Sequence, residues 1–290
     1  MFKDKKPIML SSIIVLAIAC MAIILTIGIR KNPQFKYLGE RGLTTYPFPG
    51  EFEKQQAIWM QWPSEVYNLG SRPVNPVMVS IIKALAPYVR TNLMSQSPEE
   101  IVQIKNLLKT SGFSGTNVYY YLINHQSIWA RDVGPIFVKD RQNRLNVVDF
   151  GFNNYSRDGD QGYIEVEGRV HKLTAQLLGL PLLRTNLISE GGAIESNGRG
   201  TMMTTESVAL KRNPGMTKQQ IENEYKRVLG VKKVIWLSKG LAEDDRITSG
   251  HINEIARFAD PNTILLAQVL PGDRNRAAFD KKERLEEIGC

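Results

Sequence analysis

Residues 97–122 read SPEEIVQIKNLLKTSGFSGTNVYYYL. Ser97 stands where an N-cap belongs, Pro98 takes the first helical position and Glu100 lies three residues past the cap, so a helix opens here and runs to about Thr110. Gly112 suits the left-handed position that ends a helix. The segment 116–122 that follows is rich in β-branched and aromatic residues and reads as a strand.

The same grammar recurs twice. A helical pattern over 169–178 ends at Gly179 and is followed by a largely apolar strand over 180–188. Thr217-Lys218-Gln219-Gln220 has capping-box spacing and opens a helix to Leu229, closed by Gly230 and followed by a strand over 233–237. The three glycines are 67 and 51 residues apart, which reads as a repeated helix–strand–loop unit and hence an α/β fold. Units set around an axis would bring their loops to one centre. A further helical pattern from about Arg274 to Ile288 ends at Gly289-Cys290, with no strand or loop after it in this sequence. That unit therefore reads as unfinished.

The loops carry the chemistry-bearing residues. The first holds Trp129-Ala130-Arg131-Asp132. A carboxylate beside an aromatic wall suits a planar cation, because it can accept two parallel N–H bonds while the ring lies on the cation's face. An internal Asp–Arg pair with a core tryptophan is the structural alternative. In the second, Glu190-Gly191-Gly192, the glycines permit close backbone approach and the glutamate could orient a base, although many strands simply end in glycine-rich turns. The third, Ser249-Gly250-His251-Ile252-Asn253, contains one of only three histidines, a candidate general acid–base. His251 and Glu254 are too few donors for a metal site.

Hydrophobic residues make up 42% of the chain and charged residues 23%, enough apolar content for a sizeable core. The net charge of +8 is spread along the sequence without a basic stripe interleaved with aromatics, which argues against nucleic-acid binding. The N-terminus differs from the rest. Residues 8–29 (IMLSSIIVLAIACMAIILTIGI) form an uncharged run of 22 residues, roughly 33 Å as a helix, long enough to span a bilayer core. We read 1–30 as a membrane anchor or signal-anchor, 31–45 as a linker and 46–290 as the folded domain. A cleaved signal or lipidation at Cys20 are the alternatives. Lys3, Lys5 and Lys6 before the run nearly balance Arg30, Lys31 and Lys36 after it, so orientation stays open. The only cysteines, Cys20 and Cys290, give the domain no disulfide framework.

Taken in order, W-x-R-D-x-G-P at 129–135, E-G-G at 190–192 with T-T-E at 204–206, and G-H-I-N-E-x-A-R-F at 250–258 resemble the agmatine deiminase and bacterial-type peptidylarginine deiminase family. The opening EFEKQQAIWMQWP at 51–63 is similar to that family's first strand, and Arg212-Asn213-Pro214 also fits. The resemblance implies a pentein fold, five ββαβ-like units around a pseudo-fivefold axis, with the fifth unit incomplete here. It implies hydrolysis of a guanidinium group, in a small guanidino compound such as agmatine or in an arginine-containing peptide, to a ureido group and ammonia. No metal or organic cofactor takes part. By the same resemblance Asp132 binds the guanidinium, His251 is catalytic, Glu190 is the glutamate of E-G-G and Trp129 lines the pocket.

Two departures stand out. Where the family has a second guanidinium-binding carboxylate, two residues after the histidine, this chain has Asn253. A hydrogen bond to a charged group is worth about 1.5–3 kcal/mol, so substrate should bind roughly ten- to hundredfold more weakly. The family's nucleophilic cysteine lies in a Gly-rich loop near the C-terminus. The loop residues of the earlier units follow their glycine by 20, 11 and 21 positions, whereas Cys290 follows Gly289 by one, and it is not assigned as the nucleophile. Two readings result: a truncated copy of a deiminase, inactive for want of its thiolate, or a non-catalytic, membrane-tethered pentein that binds or interacts.

Overall fold

The computed structural model describes residues 34–38 and 46–276. Its first unit runs β1 (Ala57–Gln61), α1 (Asn75–Leu85), β2 (Arg90–Ser95), α2 (Pro98–Thr110) and β3 (Val118–Leu122). Both connections are helical crossovers, and the three strands accordingly pair in parallel in the order β1-β2-β3. The second unit follows the short helix α3 (Ala130–Val133). It comprises β4 (Ile136–Lys139), β5 (Leu145–Gly151), α4 (Gln161–Glu167), α5 (Val170–Leu177) and β6 (Leu182–Ile188). Here β4 and β5 form an antiparallel hairpin and the helices carry the chain to a parallel β6. The third unit repeats that plan with β7 (Glu195–Ser196), β8 (Thr201–Thr205), α6 (Glu206–Arg212), α7 (Lys218–Leu229) and β9 (Lys233–Leu237). An antiparallel hairpin, β10 (Ala256–Phe258) and β11 (Ile264–Leu266), comes last.

The described residues thus hold three three-stranded sheets and one two-stranded hairpin. In chain order the hairpin opens a fourth unit, and the helical pattern from about Arg274 to Ile288 that the sequence reading placed in an unfinished fifth unit lies, beyond residue 276, outside the described residues. Within the first unit β1 joins β2 and β3 in one sheet.

Local chemistry explains the helix ends. Ser97 Oγ accepts the Glu100 N–H at 3.1 Å. At the other end of α2, Gly112 has φ +77°, and the Gly112 and Phe113 amides return to Lys109 O and Leu108 O. The α5 helix closes the same way: Gly179 bonds to Gln176 O and Leu180 to Ala175 O. Leu180 is thereby spent on the cap, which is why β6 starts at Leu182 and not at 180. Thr217 and Gln220 make the full capping box, and Gly230 ends α7 with φ +66°.

Apolar spacing supplies the cores. Ile221, Tyr225 and Val228 share one face of α7 and pack with Leu183, Leu187 and Met202 from the sheets beneath. Full burial of each such aliphatic side chain contributes about 1.5–3 kcal/mol. A second core, with Trp62, Ile82, Leu93 and Leu108, fills the first unit. A smaller one joins Met94, Ile123, Val133 and Val170, and so fixes α3 between the first two units.

Within the stretch read as a linker, Tyr37 bridges to Leu182, with Leu38 N–H donating to Leu182 O at 2.9 Å and Leu182 N–H to Lys36 O at 2.7 Å. Tyr37 Oη also donates to Asp149 Oδ2 at 2.9 Å. Burial pushes the Asp149 carboxyl up, but His171 and Lys172 outweigh it and hold the group down to about 2. The apolar run 8–29 lies outside the described residues. Among those described, no helix is long and apolar enough to cross a membrane.

Two substitutions test the capping argument. Thr217→Ala should cost about 1 kcal/mol, and Gly230→Ala about 1–2 kcal/mol for forcing a Cβ into left-handed backbone. Lying at opposite ends of α7, they should add in the double mutant when read by urea denaturation.

Because Asp149 is depressed when folded, its ionisation stabilises the fold above the unfolded carboxylate range near 4, and that contribution fades as pH falls toward about 2. Asp149→Asn should therefore lower the melting temperature at pH 7 and lower it less at pH 4.

Candidate active site

Three turns, one from each of three successive segments, meet at the turn Gly191–Ala193. The first is α3, which carries Asp132; its backbone N–H bonds to Trp129 O at 2.9 Å. The second is the turn Gly191–Ala193 that follows Glu190. The third is the turn Ile252–Glu254, with His251 as its cap residue. They close on each other because Gly191 and Gly192 have no side chains. A Cβ on Gly191 would stand 2.1 Å from Arg131 O. One on Gly192 would stand 2.4 Å from His251 Nδ1 and 2.6 Å from Asp132 Oδ1. The paired glycines are thus a requirement of close approach.

His251 lies between two carboxylates. Its Nδ1 is 3.6 Å from Asp132 Oδ1 and its Nε2 is 3.2 Å from Glu190 Oε2. Behind Glu190, Arg212 Nε donates to Oε1 at 2.7 Å, and neither side chain has any exposure to solvent. Arg212 Nη2 goes on to Thr248 O at 2.6 Å. The two carboxylates are pushed in opposite directions. Burial raises Asp132, Glu190 adds to the rise, and His251 with the Tyr155 hydroxyl offsets only part of it. Burial acts on Glu190 too, but the His251 hydrogen bond and the Arg212 guanidinium overcome it and hold the group low.

Tyr155 completes the cluster. Its hydroxyl donates to Asp132 Oδ2 at 2.9 Å, and its ring meets the His251 ring edge-on at 5.9 Å. Asn154, Tyr155 and Ser156 have φ of +52°, +60° and +56°, three successive non-glycine residues in the left-handed region. Such backbone costs roughly 1–2 kcal/mol per residue. Asn153 offsets it locally: its Oδ1 accepts the Ser156 N–H at 3.0 Å and its Nδ2 donates to Ser156 Oγ at 3.2 Å.

A further carboxylate delivers His251. Asp244 accepts the Thr248 N–H at 3.0 Å, the Gly250 N–H at 2.8 Å and the His251 N–H at 3.2 Å, together with the Thr248 hydroxyl. On the far side of Gly191, Arg131 Nε donates to Gly191 O at 3.2 Å while its guanidinium pairs with Glu51 and with buried Glu195. Glu195 also lies 3.0 Å from Arg257 Nε, and Glu51 pairs with the same arginine. These ion pairs edge a cleft of about 500 Å³ that Asp132 and His251 do not line. Asp132 borders instead a void of about 10 Å³, roughly the room of one water.

The residues singled out in the sequence fare differently. Asp132, Glu190 and His251 come together. Trp129 is 53% exposed, and its backbone carbonyl serves α3. Asn253 sits in the turn after His251 with Oδ1 buried and, among the described residues, without a donor. Sequence reasoning missed Tyr155 and Asp244, and took Arg212 as part of a motif without a role. The asparagines at 153–154, residues that tolerate left-handed backbone, are the one local signal that pointed toward Tyr155.

Removing the tyrosine hydroxyl removes a hydrogen bond that favours ionised Asp132. In Tyr155→Phe, the Asp132 carboxyl should titrate at higher pH than in the wild type, as followed by carboxyl carbon NMR. Gly192→Ala should separate Asp132 from His251 and abolish any ligand binding at Asp132, with the fold retained by circular dichroism.

Comparison with known proteins agrees with this assembly. The model of the Porphyromonas-type peptidyl-arginine deiminase family matches residues 47–288. A putative agmatine deiminase of Mycoplasma mycoides is 33% identical over 226 residues, covering 75% of this chain and 59% of its own length. The agmatine deiminase of Medicago truncatula is 30% identical over 252 residues, covering 82% and 65%. Among solved structures, an Enterococcus faecalis agmatine deiminase superposes with TM-score 0.75 at 28% identity, covering 87% of this chain and 70% of that one. An agmatine deiminase of C. jejuni with substrate bound gives TM-score 0.72 at 25% identity, covering 88% and 74%. The chain spans about three fifths of the length of the first curated relatives it matches. It belongs to the agmatine deiminase and peptidyl-arginine deiminase family of the pentein superfamily.

Proposed function

We propose that this centre serves the hydrolysis of a guanidino group to a ureido group and ammonia. The observation that supports it most is His251 held between Asp132 and Glu190, with Arg212 behind. Asp132 accepts N–H bonds from the guanidinium and orients its carbon. His251 passes the proton to the departing ammonia and takes one from the water that resolves the intermediate, while Glu190 holds the imidazole in place. The family's nucleophile is a cysteine thiolate, which adds to the guanidinium carbon and leaves again when water has attacked. Cys290 lies outside the described residues and is given no part in this scheme. Agmatine and peptidyl-arginine are the two substrate classes in question. The apolar run 8–29 supports a form tethered to the membrane by a single N-terminal span, and a peptide-acting enzyme on such a tether would suit a domain outside the cytoplasm.

The second reading, a pentein that binds guanidino compounds without turning them over, draws on Asn253. One experiment separates the two. The chain is incubated with agmatine or an arginine peptide, ammonia and ureido product are followed, and binding is measured by calorimetry in parallel. Turnover supports the enzyme; His251→Ala should then lower the rate at least about a hundredfold. Binding without turnover supports the module, with Asp132→Asn weakening it about ten- to hundredfold. Neither binding nor turnover would sink both readings. Protease protection of the domain in sealed cells tests its side of the membrane.

A further inference from the structure

The turn after His251 contains an acceptor with nothing to accept. Asn253 Oδ1 is buried and meets no hydrogen-bond donor among the described residues. A buried polar atom left unpaired is costly, and such an atom beside a binding centre points to a donor on the ligand. The position is central: the turn Ile252–Glu254 packs against the turn Gly191–Ala193, whose Gly192 lies against both Asp132 and His251.

What an amide can recognise differs from what a carboxylate can. A carboxylate presents two acceptors edge-on and matches the two parallel N–H groups of a guanidinium. A primary amide presents one acceptor and one donor. It matches the edge of a ureido group, giving N–H to the ureido oxygen while its own oxygen takes the ureido N–H. Against a guanidinium edge the same amide makes one bond and sets its NH₂ against a second N–H. Charge points the same way. Arg212 already neutralises Glu190, so Asp132 is the carboxylate left to face a ligand in this cluster. It can accept an N–H from either group.

Resting on the reading of this centre as a guanidino-group site, we propose that Asn253 shifts its recognition from the guanidinium cation toward the neutral ureido group. The site then holds the ureido class about as tightly as the guanidino class. In a turning-over enzyme the product would compete with substrate; in a binding module the ureido compound would be a ligand in its own right.

The test is calorimetry on the full chain with a matched pair, agmatine and its ureido counterpart 4-ureidobutylamine. Wild type should bind the two within about tenfold of each other. Asn253→Asp should move the ratio toward agmatine by about ten- to hundredfold, the change expected when a charged acceptor replaces a neutral one. Asn253→Ala, which keeps the shape of the turn and decides the matter if the aspartate variant does not fold, should weaken the ureido compound more than agmatine. Both ligands binding with a ratio that neither substitution moves would overturn the role of Asn253 while leaving the guanidino-site reading intact. Failure of the wild type to bind either compound would overturn that reading and this inference together.

Discussion

The centre depends on an ion pair that water does not reach. Arg212 and Glu190 are both fully buried at 2.7 Å, and two charges in such a place are tolerated because they are paired and hydrogen-bonded, with only Arg212 Nη1 left without a hydrogen-bond partner among the described residues. Glu190 spends its other oxygen on His251, and Arg212 spends Nη2 on the carbonyl of Thr248. The pair therefore ties three segments together: the end of β6, the end of α6 and the loop that carries His251. Loss of either partner would leave an uncompensated charge in the interior, worth about 3–5 kcal/mol. The stability of the domain and the geometry of the site are in this respect the same thing.

Around that pair the chain accepts local strain. Three left-handed residues in a row bring Tyr155 to Asp132, and Ser249 at φ +68° with Gly250 at +99° brings in His251. Neither loop would hold such backbone alone. Asn153 braces the first, and Asp244, accepting several donors from residues 248–251, braces the second. Strain of this sort persists where surrounding contacts over-determine it, and here it falls on the two loops that touch the imidazole and its carboxylate partner.

How much of this was legible in the sequence follows from the range of each interaction. The three glycine-ended helices and the strand over 233–237 were readable because capping is decided within a few residues. The hairpins β4–β5, β7–β8 and β10–β11 were not read, since strands as short as the two residues of β7 have no periodicity and exist by pairing. The helix α4 was likewise missed. In the site, Asp132, Glu190 and His251 were identified through the order of their motifs, with family resemblance supplying the roles. Tyr155 and Asp244 carry no motif of their own, and Arg212 was read only as part of Arg212-Asn213-Pro214, without a role. Tyr155 meets Asp132 across 23 positions and Arg212 meets Glu190 across 22, so only the fold reveals these contacts. Trp129, read as a pocket wall, is instead half-exposed in the described structure and supplies α3 with its backbone carbonyl.

The two carboxylates beside His251 are chemically alike, and their surroundings make them different. Glu190 has a guanidinium behind it and is held ionised; Asp132 has a tyrosine hydroxyl and one backbone amide from Gly192, and burial keeps it high. A carboxylate already paired with a buried arginine has little left to offer a second cation, so it suits the task of orienting an imidazole. One that is short of compensation gains most from an arriving cation, because that cation supplies what burial has withheld. A guanidino group entering here would be drawn to Asp132 and not to Glu190. The division of labour comes from where Arg212 lies, on a helix of the next unit, rather than from anything in the loops that hold the acids themselves.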